Sequence, residues 1–147
     1  MLGGFAPSGP TGNSVTGPGP TGPAFALSYV YVGLWTVAGS LTDASTGGQA
    51  NEVSTSGTAY VRKQVANNST NWPASSGSTT GIKQNGTAIT FATATAAWGS
   101  IYQFALLDDA TAGQGNVLFW GDLTSVKVIG VGDTASFSAG ALSITED

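Results

Sequence analysis

The chain has no cysteine, no histidine and very little charge. Without cysteine among its 147 residues it has no disulfide frame and no thiol chemistry. Without histidine as well, it loses the usual general base and the common transition-metal ligands. Charged residues are 8% of the sequence, against roughly 25% in ordinary soluble domains. Polarity comes instead from Ser, Thr, Asn, Gln and Gly. The net charge is −4, and the basic residues are Arg62, Lys63, Lys83 and Lys127. Phosphate binding needs clustered Lys and Arg, so nucleic acid is excluded as a partner. The apolar stretch from Ala24 to Val37 is too short to span a bilayer, carries Ser28 and two tyrosines, and follows no basic segment. It reads as a buried strand, not a membrane span or signal segment.

What the chain has in excess lies at its start. Five of the six prolines (Pro7, Pro10, Pro18, Pro20, Pro23) fall within the first 24 residues, together with many glycines and no charge. Proline fixes φ and lacks an N–H, and glycine loses the most entropy on ordering, so this segment builds neither helix nor packed sheet. GPTG recurs at Gly9 and Gly19. Collagen needs glycine at every third position, and Val15 breaks that frame, so the arm is not read as a triple helix. Residues 1–24 are therefore read as an extended arm that becomes ordered by lying along a partner. Phe5 and the five prolines are its candidate contacts.

From residue 25 to 147 the pattern is β. In AFALSYVYVGLWTV both parities are apolar, which indicates a central strand covered on each face. A long polar loop follows from Gly39 to Gly57. Thr58 to Ala66 alternates, with Tyr60, Arg62 and Gln64 opposite Val61, Lys63 and Val65. A second polar loop contains Trp72 and Pro73, which pin it to the body or leave Trp72 exposed or interfacial. Asn85-Gly86 signals a tight hairpin, or a turn into a strand at Ala88 to Phe91. Ile101 to Leu107 and the stretch GNVLFWGDL form an antiparallel hairpin. VKVIGV and TASFSAGALSIT supply the last strands. Residues 92–97 make one helical turn at most. Seven to nine short strands imply an all-β, antiparallel β-sandwich, of jelly-roll or immunoglobulin-like topology.

No catalytic set emerges. The acids Asp43, Glu52, Asp108, Asp109, Asp122, Asp133, Glu146 and Asp147 are scattered, and most read as turn residues bonding their own backbone. Asp108, Asp109 and Asn116 flank one loop, but their spacing matches no calcium loop. No metal and no cofactor is expected. Trp35 and Trp120 read as core. An exposed tryptophan would instead offer a stacking surface to sugar rings.

The succession YVGLWTV, TDASTGGQANEVSTSGTAYVRKQV and NGTAITFATATAAWGSIYQFALLDDATAGQGNVLFWGDLTSVKVIGVGDTASFSAGALSITED resembles a family of small tailed-phage structural proteins, often labelled tail fibre or minor virion proteins. The likeness covers roughly residues 29 to 147; the Gly/Pro arm lies outside it. It implies a non-enzymatic component on the surface of a phage particle. Because the chain is too short for a fibre shaft, the leading expectation is a capsid-surface decoration or cement protein, stapled by its arm to the major capsid protein. The alternative is a tail-fibre or baseplate adhesin, partnered by tail proteins and binding a host glycan through the 39–57 and 67–81 loops. Uncovered strand edges imply a homo-oligomer, plausibly a trimer.

Overall fold

A computed structural model of the chain describes residues 27–73 and 81–146. The expectations for the arm, including Phe5, Pro7, Pro10, Pro18, Pro20 and Pro23, lie outside the described residues.

The described strands are β1 (Tyr29–Trp35), β2 (Lys63–Ala66), β3 (Gly81–Gln84), β4 (Ile89–Thr90), β5 (Gly99–Leu107), β6 (Val117–Ile129), β7 (Ser136–Phe137) and β8 (Ser143–Glu146), with no helix among them. All pairings are antiparallel. One sheet runs in the order β2-β1-β5-β6, and two short ladders pair β3 with β8 and β4 with β7. The main core joins that sheet to the ladders. Val30, Val32, Leu34, Phe104 and Leu106 meet Ile89, Phe91 and Leu142 there, with Phe137 packed against them. The chain is thus an all-β layered structure whose second layer is split in two. The all-β, antiparallel class is the one the sequence implies.

β1 is the central strand that its two apolar parities indicate. Val30, Val32 and Leu34 enter the main core, while Trp35 joins Leu41, Ala105 and Leu107 in a second cluster on the opposite face. That face is covered by the loop after β1. Leu41 is buried, and its N–H donates to Oε1 of the equally buried Gln103 at 2.9 Å. β5 is therefore buried on both sides from Gln103 to Leu107, which its uninterrupted apolar run requires.

Two readings change, and a third, at Asn85-Gly86, is decided in favour of its second alternative. The Thr58 to Ala66 alternation is not one strand: only Lys63 to Ala66 pairs with β1, and the buried residues are Thr58, Tyr60, Arg62 and Val65. The inward phase slips between Arg62 and Val65. Asn85-Gly86 makes no hairpin, because β3 and β4 pair with different partners; it is the turn into β4. The Asn85 amide drives this corner. It donates to the Thr87 and Ser138 carbonyls and accepts from Leu142 N–H, at 2.8, 2.9 and 2.9 Å. Gly86 is needed for close approach, since a Cβ there would overlap the Thr70 carbonyl. Finally, the two strands expected around Leu118 and Val128 are one, β6. The ladder steps from Gln103↔Asp122 to Ile101↔Lys127. A bulge of Leu, Thr, Ser and Val absorbs the offset without a turn residue to break the strand.

Candidate functional site

The most ordered polar constellation is built on Arg62, the sole arginine of the chain. Its guanidinium uses every donor it has. Nε and Nη2 donate to Oε1 and Oε2 of Glu52, both at 2.8 Å. Nη2 also reaches the Gly47 carbonyl at 3.0 Å, and Nη1 reaches the Asp109 and Gln114 carbonyls at 2.9 Å each. The Arg62 side chain is fully buried and that of Glu52 is 7% exposed. Such a forked, charge-assisted pair is strong because its geometry fixes both planes. Buried ion pairs hold only when the remaining donors are also satisfied, and here all five are.

Tyr60 completes the group. Its hydroxyl donates to Glu52 Oε1 at 2.9 Å and accepts from Leu34 N–H at 3.0 Å. Burial first, and the Glu52 carboxylate second, push the phenol well above its ordinary value of 10.0. Its ring stacks with Phe91 and meets Trp98 edge-on, so the polar group stands directly on the aromatic core.

This clasp joins two glycine-rich loops that are far apart in sequence. The 39–57 loop contributes Gly47 and Glu52; the β5–β6 loop contributes Asp109 and Gln114. Gly47 N–H donates to the Gly115 carbonyl at 2.9 Å, and Thr46 bridges Asn116. A Cβ on Gly47 would overlap the Gln114 carbonyl, so only glycine permits this contact. Outside the clasp lies a face of exposed Thr42, Asp43, Thr46, Asn51, Thr111, Gln114 and Asn116, nearly all of them uncharged hydroxyl or amide groups. Beside it Trp120, half-buried, donates its indole N–H to Asp43 Oδ1 at 3.2 Å. Trp35 is core as read; Trp120 sits at the margin of the second cluster because the loop covers only part of that face.

The expected turn roles of the acids hold at three places: Asp108, Asp109 and Asp133 accept from the N–H of Asn116, Thr111 and Gly130. Both Asp108 oxygens are engaged by Asn116, its N–H and its side-chain amide, which accounts for that pair without a cation. Among the described residues no group of three or more acids, His or Cys is placed to hold a metal. Glu52 is an acid that the sequence reading left among the scattered ones and that the fold sets in a buried ion pair. Trp72 is corrected too: at 2% exposure it lies in the main core, so of its two readings the pin stands and the exposed one falls. The turn that aims it inward is set by Asn68, whose carboxamide oxygen accepts from Thr70 and Asn71 N–H. No helix of the described residues is long and apolar enough to cross a membrane.

The carboxylate and guanidinium of the clasp are consumed by structure, and what remains outside it is a held polar loop surface, nearly all of it uncharged. No curated protein matches the chain. Residues 19–145 match the family described as Podophage GP4 fiber I protein gp80, which covers the clasp, both loops and all but the last residue of the described strands. The chain belongs to that family of phage fibre proteins and is a component of the virion.

Proposed function

We propose that the chain is a non-enzymatic fibre subunit whose clasped loop face contacts a neutral, hydroxyl-rich ligand on the host, a surface glycan. This is the second of the two roles weighed from the sequence, now preferred to capsid decoration because the family is described by its fibre. The saturated Arg62 carries the reading. Ordering loop backbone costs about 1–2 kcal/mol per residue, and two glycine-rich loops are the costliest kind. The fold meets that cost with its only arginine, whose buried guanidinium bonds carbonyls of both loops. Loops fixed on a rigid scaffold are where recognition is ordinarily found. Hydroxyl and amide side chains beside an indole suit sugar hydroxyls and the apolar face of a sugar ring.

Adsorption competition tests this. Purified chain should slow attachment of the parent phage to its host. Asp43→Ala combined with Thr111→Ala, both on the exposed loop face, should weaken that competition while leaving the melting temperature within a few degrees. Unchanged competition by the double variant would refute the loop face, and a subunit present in hundreds of copies per particle would favour the shell.

A further inference from the structure

We infer that the groove between β6 and β7 receives an added β-strand, residues 11–17 of a second copy of this chain. The groove has a volume of about 540 Å³. Its floor is apolar, with Phe104, Leu123, Ile129 and Phe137, and its walls are two consecutive backbone runs, 122–125 and 134–138. Among the described residues β6 pairs only with β5, and β7 only with β4. Among the described residues the 122–125 and 134–137 walls therefore lie on strands with no second pairing strand, one from each layer, while the Ser138 carbonyl at the end of the groove is taken by Asn85 and Ala141. The β6 wall is the bulge, whose residues between Asp122 and Lys127 have no more than Tyr102 opposite them on β5. Uncovered edges are templates for strand addition, and natural folds cover them.

The occupant follows from composition and reach. The groove carries one acid and one base, Asp122 and Lys127, and otherwise hydroxyl and apolar groups, so a neutral strand suits it. The 26 residues that precede Leu27 are uncharged. Proline cannot donate to a ladder, and the stretch Thr11 to Gly17 is seven residues without one. Extended, it spans roughly 23 Å, enough for the five-residue β7 wall. Val15 is its one apolar side chain of size, available for the floor. A neighbour's groove is favoured over the chain's own. The leader ends just before β1 begins at Tyr29, whereas Leu34 and Ile101 mark the groove at the other end of that strand. To reach its own groove the leader would have to double back within a segment that holds Pro18, Pro20 and Pro23, and proline-rich sequence favours extended backbone. This inference holds whichever structure of the virion the subunit occupies, so it stands apart from the glycan reading.

The absence of native cysteine makes the test clean. Full-length Val15→Cys and Ser125→Cys variants, carrying tags of different size, are mixed and oxidised, with Lys63→Cys on β2 as the control partner. The Val15→Cys chain should link to Ser125→Cys at least about tenfold faster than to Lys63→Cys, the gain expected from bound proximity. Equal rates would overturn the groove as the docking site. A chain bearing both Val15→Cys and Ser125→Cys that closes only within itself would overturn the second copy as donor.

Discussion

Removing either half of the Arg62–Glu52 pair leaves the other half charged and out of water. Breaking a buried pair this way costs about 3–5 kcal/mol. Arg62→Met and Glu52→Leu should each destabilise by that amount in urea titrations, and the double variant by clearly less than the sum, because the residues act as one unit. Tyr60 adds a dependence on pH. Its phenol is pushed up in the folded chain, so above pH 10 the unfolded chain gives up this proton while the folded chain keeps it. Stability from Tyr60 is therefore complete below about pH 10 and falls as pH rises beyond it. Tyr60→Phe should flatten that alkaline fall in a pH series of melting curves. This centre was half legible from sequence. Arg62 shares a parity with Tyr60, and a lone arginine in a chain so poor in charge is a signal of a specific partner. Glu52 gave no such signal, because a carboxylate in a polar loop looks like any turn acid until the loop folds back over the sheet.

Among the elements, legibility followed periodicity. β1, β5 and the start of β6 were readable because their apolar runs are long, and their burial on two faces follows from the loop over Trp35 and Leu41. Short pieces were not. β4 and β7 are two residues each, and only long-range contacts define them. The Asn85-Gly86 corner resembles a hairpin signal, yet Asn85 spends its amide on segments near residues 138 and 142, so tertiary bonding overrode the local rule. Trp72 misled for a related reason: its loop is polar, and its burial depends on a turn built by one asparagine. Trp72→Ala should cost about 3–5 kcal/mol, as deleting a large core aromatic does, and should leave the alkaline behaviour of Tyr60 unchanged. A loss below about 1 kcal/mol in denaturant unfolding would contradict its role as the pin.

For the molecule as a whole, the scarcity of charge has a consistent meaning. Among the described residues the one salt bridge is buried, and the surface carries a few scattered charges such as Asp43, Lys63 and Lys127 among hydroxyls, amides and exposed valines such as Val126, Val128 and Val131. A surface of that kind does not steer charged partners over distance, and the contacts proposed above use fit and uncovered main chain instead. Both are the means of a particle component. The all-β class and the phage resemblance were readable from sequence, whereas the split second layer and the clasp needed the fold.

The central claim is that this subunit belongs to the fibre and presents its clasped loops outward. The most direct measurement is an electron cryomicroscopy reconstruction of the intact particle, with the subunit located by a tag fused at its C-terminus. The account predicts density on a fibre, in low copy number, with the Thr46 and Asn116 face turned away from the particle. Density spread across the shell, or that face buried against another virion protein, would contradict it.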